Sequence, residues 1–132
     1  MFTQHKVPTC IDSVQDSTLI TGHEDSVIRL WDVRSGMSER TFKSQYESHE
    51  RWVSRVKFNE NVENIFISSS YDGTVKLWDL RNEETPLFTL KRKQEQAGED
   101  YKVFAAEWNG PSQIISGGSD SNVSVHTIGD NK

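Results

Sequence analysis

Ser26-Val-Ile-Arg-Leu-Trp-Asp-Val-Arg34 recurs as Gly73-Thr-Val-Lys-Leu-Trp-Asp-Leu-Arg81, and this pair of stretches decides the fold. Trp31 and Trp78 lie 47 positions apart, and so do Asp25 and Asp72. A third, weaker copy is Ser116-Gly-Gly-Ser-Asp120-Ser-Asn-Val-Ser-Val, in which Ser116 and Asp120 follow Ser68 and Asp72 by 48 positions. Several features holding one period mark a repeated supersecondary unit. Inside each copy the apolar residues form short alternating clusters with no helical spacing, so the unit is all-β.

The middle copy reads most clearly as four strands. Val53–Phe58 is expected to put Ser54, Val56 and Phe58 on one face, with Arg55 and Lys57 opposite. A polar turn over 59–64 leads to a second strand at 65–69, and Asp72-Gly73 supplies a tight hairpin turn. The third strand is Thr74–Asp79, and a short fourth falls near 87–90. By the same pattern the first copy has strands at 9–14, 18–22, 27–33 and 39–42. The last copy has strands at 103–108, 113–117 and 123–128 and lacks an outer strand. The units therefore span about 5–42, 49–90 and 99–128, and 91–100 is read as a charged surface loop.

Composition narrows the function. The chain of 132 residues has a formal charge of −5, whereas a surface built for nonspecific phosphate binding needs a basic excess. The single Cys10 excludes an internal disulfide framework and fits a reducing compartment. No apolar run suits a signal core or a membrane span. His5, His23, His49 and His126 are dispersed, without metal-ligand spacing, and His23-Glu24-Asp25 reads as a solvated turn. Gly117-Gly118 and Asn109-Gly110 read as turn or strand-end glycines, since neither sits in a phosphate-binding sequence. Ser68, His49 and Asp72 supply the residue types of a hydrolase triad, yet no Gly-x-Ser-x-Gly elbow is present. No catalytic residue, metal or cofactor is expected, and the chain is read as a non-enzyme.

The pattern resembles the WD-repeat family, whose four-stranded antiparallel sheets stack radially as the blades of a β-propeller. The resemblance implies about three blades of a seven-bladed ring, with the remaining blades as structural partners. It also implies a hydrogen-bonded set in each blade. In the middle blade the set is His49, Ser68 (or its neighbour Ser69), Asp72 and Trp78. Blade one keeps Thr21, Asp25 and Trp31, but its histidine slot falls near Thr3, with His5 as a substitute. Blade three keeps Ser116 and Asp120, with Glu99 near the histidine slot and His126 in place of the tryptophan. Satisfying buried polar groups inside the sheet is the physical purpose of such a set.

Loops of successive blades gather on one face of such a disc. The partner-binding candidates there are Glu24, Glu50, Arg51, Trp52, Tyr71, Tyr101 and Lys102, because aromatic and arginine side chains make good interface anchors. The alternative for Trp52 is packing under its own loop. Arg34 and Arg81 complete Trp-Asp-x-Arg stretches that resemble the box by which WD proteins dock onto the adaptor of cullin-4 ubiquitin ligases. An arginine there also has a simpler use, pairing with a nearby carboxylate.

A narrower likeness is carried by Thr21-Gly-His-Glu-Asp-Ser-Val-Ile-Arg-Leu-Trp-Asp-Val-Arg, Ser48-His-Glu-Arg-Trp-Val-Ser-Arg-Val-Lys-Phe and Glu99-Asp-Tyr-Lys-Val-Phe-Ala-Ala-Glu-Trp. These are similar to the C-terminal blades of the WD-repeat subunit of the Pescadillo–Bop–WD (PeBoW) complex. That resemblance implies a protein-binding scaffold in large (60S) ribosomal subunit biogenesis and pre-rRNA processing. The implied partners are Pescadillo and Bop-type subunits and the pre-60S particle, in the nucleolus, with direct RNA contact left open. In that family a separate ubiquitin-like domain engages an AAA ATPase, and this role is not carried over to the present chain.

Overall fold

The computed structural model describes residues 7–14, 18–32, 41–91 and 101–128. Their strands form three antiparallel sheets, each built from neighbours in sequence. The first contains β1 (Pro8–Val14), β2 (Thr18–His23), β3 (Val27–Asp32) and β4 (Thr41–Glu47). The second contains β5 (Val53–Phe58), β6 (Ile65–Ser70), β7 (Thr74–Asp79) and β8 (Phe88–Lys91). The third contains β9 (Val103–Asn109), β10 (Gln113–Gly118) and β11 (Val123–Thr127). This all-β arrangement is the one the repeat predicts.

The second sheet is covered on both faces. Alternation along β6 and β7 sends Phe66 and Trp78 toward the first sheet, where they meet Ile20, Ile28, Leu30 and Tyr46 in one apolar core. Ile67, Val75 and Leu77 point the other way and meet Val103, Ala106 and Ile114 of the third sheet. A strand buried on both faces loses its polar alternation, which is why Ile65-Phe66-Ile67 reads as a continuous apolar run. Polar contacts stitch the same seams. The Phe58 amide donates to Asp12 Oδ2 (2.8 Å), and the Trp108 indole to the Lys57 carbonyl (3.1 Å).

Two local expectations need correction. Register slips between Val53 and Arg55, a β-bulge in β5. Val53 thereby joins Val56 and Phe58 on the core face toward the first sheet, and Ser54 does not. Ser54 instead donates to the Val103 carbonyl of the third sheet (2.6 Å). The bulge recurs in β1 and β9. In β1, Thr9 makes the matching hydroxyl contact to the Val53 carbonyl.

The outer strand of the first sheet runs Thr41–Glu47, past the expected end at residue 42. The reason is Tyr46, which is fully buried between sheets. Its ring meets Phe66 and Trp78 edge-on, at 5.3 Å in each case, and its hydroxyl donates to the Leu80 carbonyl (2.9 Å). Finally, the turn between β6 and β7 spans three residues, with Gly73 left-handed at φ 88°. Its missing side chain also admits the next sheet, since a Cβ there would lie 2.7 Å from the Tyr101 carbonyl oxygen.

Candidate functional site

In the second sheet, four side chains from the stretch before β5, from β6, from the β6–β7 turn and from β7 join in one polar chain. The Trp78 indole N–H donates to Ser68 Oγ (2.9 Å), and Ser68 Oγ lies 2.7 Å from His49 Nε2. His49 Nδ1 meets Asp72 Oδ2 at 3.0 Å. The consistent direction runs from indole to hydroxyl to imidazole to carboxylate, with the histidine neutral and protonated on Nδ1. Ser69, the alternative for the hydroxyl position, bonds to Ser54 instead (2.8 Å). Asp72 also accepts from the amides of Glu50 and Thr74 (3.0 Å each) and from the Thr74 hydroxyl (2.6 Å).

Burial sets the charge states. Desolvation holds the His49 imidazole below its ordinary value, against the opposing pull of Asp72, and Lys76 adds a further push downward. Burial alone would raise the Asp72 carboxyl, but the hydrogen bonds from His49, Thr74 and Glu50 outweigh it and hold it far below the usual carboxylate range. Unfolded His49 takes up a proton near pH 6.5 while the folded side chain resists it. The stabilisation is therefore complete above about pH 6.5 and is lost as pH falls, by up to about 1.4 kcal/mol per pH unit. Denaturant unfolding of the chain between pH 7 and pH 5 is expected to show this slope, with His49→Gln reducing it. Equal slopes in the two proteins would contradict a neutral buried His49.

The polar chain does more than fill the sheet, because it holds a loop. Three consecutive residues before β5 are tied to the β6–β7 turn. Glu50 N–H reaches Asp72 (3.0 Å), the Arg51 carbonyl accepts from Ser70 Oγ (3.1 Å), and the Trp52 carbonyl accepts from Tyr71 N–H (2.9 Å). The last contact repeats in the other sheets, as Glu24 N–H to the Val7 carbonyl (2.9 Å) and Ser119 N–H to the Lys102 carbonyl (2.8 Å). Val7, Trp52 and Lys102 are thus equivalent positions on one rim. Trp52 does not fold under its loop, for it is 46% exposed and stacks on Tyr71 at 5.8 Å. Tyr71 in turn meets Phe104 of the third sheet edge-on at 5.6 Å, and Phe104 is 48% exposed. Three aromatic rings therefore form an open strip across two sheets on a backbone fixed from below.

Sequence reasoning missed Phe104, whose place in an alternating strand suggests burial until the β9 bulge is known. It also misread His23, which is buried (4% exposed) and not a solvated turn residue. His23 Nε2 lies 2.7 Å from Thr21 Oγ1, which accepts from the Trp31 indole (2.9 Å). A histidine at the end of β2 thus reaches the hydroxyl within the described first sheet. Asp25 is held by a bidentate contact from Arg29 (2.8 and 3.2 Å). Thr3, His5, Arg34, Glu99 and most of 91–100 lie outside the described residues.

In the third sheet Ser116 is buried, Asp120 accepts from the Asn122 amide (3.0 Å), and His126 meets Phe88 edge-on at 5.3 Å. Glu24, Tyr101 and Lys102 are partly exposed, and Glu50 and Arg51 exposed, all around the same rim. Arg81, just past the end of β7, pairs bidentately with Asp79, the last residue of that strand (2.7 and 2.9 Å). Among the described residues no group of three or more His, Cys, Asp or Glu side chains is placed to hold a metal. None of them forms a helix long and apolar enough to cross a membrane.

Sheets of sequential antiparallel strands, stacked face to face, with a tryptophan–hydroxyl–histidine contact in the first two and a carboxylate closing the set in the second, define a class. Residues 1–32 and 40–79 match the profile of the WD domain, G-beta repeat, and the chain belongs to the WD-repeat family. Its sheets are propeller blades. Within that family it is similar to the ribosome biogenesis protein WDR12 homolog of Culex quinquefasciatus, 38% identical over 107 residues. That alignment covers 81% of this chain and 24% of the mosquito protein. The WDR12 homologs of Aedes aegypti (37%, covering 81% and 23%) and Drosophila virilis (34%, covering 84% and 25%) are similar as well. The chain spans about a quarter of the length of the curated relatives it matches.

Proposed function

We propose that this chain is the blade-bearing part of a non-catalytic scaffold subunit in large ribosomal subunit biogenesis and pre-rRNA processing, acting in the nucleolus. In this reading its blades belong to a larger, seven-bladed ring, and its partners are Pescadillo and Bop-type subunits and the pre-60S particle. One observation carries the scaffold role: Trp52 and Phe104 stay half-exposed on either side of Tyr71, while the loop bearing Trp52 is tied down at three successive residues. Large rings on a fixed backbone bury much area for little lost entropy, which is what an interface anchor requires. The ribosomal setting is supported by the names of the relatives. The His49–Ser68–Asp72 trio supports no hydrolase reading, because Ser68 is fully buried and its hydroxyl is engaged by both Trp78 and His49.

The test is gradient sedimentation of the tagged full-length protein from cells, with depletion alongside. Co-migration with large-subunit precursors and accumulation of unprocessed pre-rRNA on depletion are expected. A protein absent from those fractions, whose depletion leaves pre-rRNA unchanged, would overturn the assignment.

A further inference from the structure

Asn109, the last residue of β9, is the one asparagine of the chain that glycine follows. Asn59, Asn61, Asn64, Asn82 and Asn122 each precede a residue with a side chain, β-branched in three cases. Gly110 opens the turn to β10 with φ 77°, and a Cβ there would meet nothing within 4 Å. Both residues are exposed. A glycine nitrogen in an open turn is the backbone amide best able to reach the preceding side chain, because neither steric cover nor conformational restriction opposes it. Asp72-Gly73 has the same outline but is locked. Its carboxylate is engaged by His49, Thr74 and two amides, and Gly73 lies against the Tyr101 carbonyl.

We propose that Asn109 is a self-modifying site, converting through a cyclic imide to aspartate and isoaspartate. The Gly110 nitrogen loses its proton to water and bonds to Asn109 Cγ, whose bond to Nδ2 breaks as ammonia departs. Water then opens the imide ring. Cleavage of the new N–Cγ bond leaves aspartate, whereas cleavage of the original peptide bond leaves isoaspartate, its backbone rerouted through Cβ and Cγ. Amide and water have become carboxylate and ammonium.

The site is wired into the seam between two sheets. Asn109 Nδ2 donates to Gln113 Oε1 (2.7 Å), and Gln113 Nε2 to Thr127 Oγ1 (3.3 Å), a ladder across all three strands of the third sheet. A carboxylate at residue 109 cannot donate on the first rung. Two residues on, the Pro111 carbonyl accepts from the Asn59 side-chain amide of the second sheet (3.2 Å). An extra methylene in the backbone at residue 109 displaces that carbonyl, so isoaspartate loosens the third sheet from the second.

The full chain and its Asn109→Gln variant are aged in mildly alkaline buffer. Peptide mapping by mass spectrometry and labelling by an isoaspartyl methyltransferase read the product. Asn109 is expected to convert before any other asparagine, and the variant to take up no label there, because glutamine closes a larger ring more slowly. Acid formed first at another asparagine, or equal labelling of the two proteins, would overturn the proposal. The aged native chain is expected to melt about 2–6 °C below the fresh one, the effect of about one lost hydrogen bond, while aged Asn109→Gln keeps its melting temperature. A chain converted at Asn109 that melts like the fresh one would overturn the link to the seam.

Discussion

Trp78→Ala is expected to cost the chain about 3–5 kcal/mol of unfolding free energy, the range for emptying a fully buried large aromatic. Trp78 has no exposed surface, lies parallel to Phe66 at 6.0 Å, and receives the edge of Tyr46 from the neighbouring blade at 5.3 Å. Its removal opens a cavity at the centre of the seam between the first and second blades. It also deprives the Ser68 hydroxyl of its indole donor. Trp78→Phe should retain most of the apolar contact and lose chiefly the hydrogen bond, a smaller cost of about 1–3 kcal/mol. Urea unfolding of the three proteins separates the two contributions. A loss below about 1 kcal/mol for the alanine variant would mean that the ring is not in the core.

Asp72→Ala comes second, with an expected loss of about 2–4 kcal/mol from unpaired buried donors. The carboxylate accepts from His49, from two backbone amides and from the Thr74 hydroxyl, and alanine offers none of them a partner. Asp72→Asn keeps one acceptor oxygen and should lose less. The loss should also be felt at a distance, since Glu50 N–H is one of the three ties holding the loop that bears Trp52. Amide exchange at Glu50 is expected to accelerate in Asp72→Ala more than exchange in β7. Unchanged exchange there would uncouple the polar chain from the rim.

Legibility in the sequence followed the range of the interactions. The repeat, the strands and the middle set of His49, Ser68, Asp72 and Trp78 could be seen because each depends on residue type at a fixed spacing within one blade. Features created by the contact between blades were hidden. Tyr46 follows Lys43-Ser44-Gln45, a stretch whose polarity suggests a linker, and only the facing Phe66 and Trp78 make it a core residue. Strict alternation misplaces Ser54 and offers no signal for Phe104, because a one-residue bulge reverses the faces without changing composition. His23 falls where a loop is expected, whereas β2 runs on through it and its imidazole lies against the hydroxyl of Thr21 two residues earlier on the same strand. The candidate rim was legible as a set of loops, and its aromatic continuity was not, because Trp52, Tyr71 and Phe104 are far apart along the chain.

Hydrogen exchange at the tryptophan indole positions, followed by NMR in the full chain, probes the stacked-blade arrangement most directly. The Trp78 indole proton, sealed between two sheets and donated to Ser68, should exchange orders of magnitude more slowly than that of the open Trp52. It should also show cross-relaxation to the Tyr46 ring. Comparable exchange at Trp78 and Trp52, with no Tyr46 contact, would mean that the first and second sheets do not stack face to face.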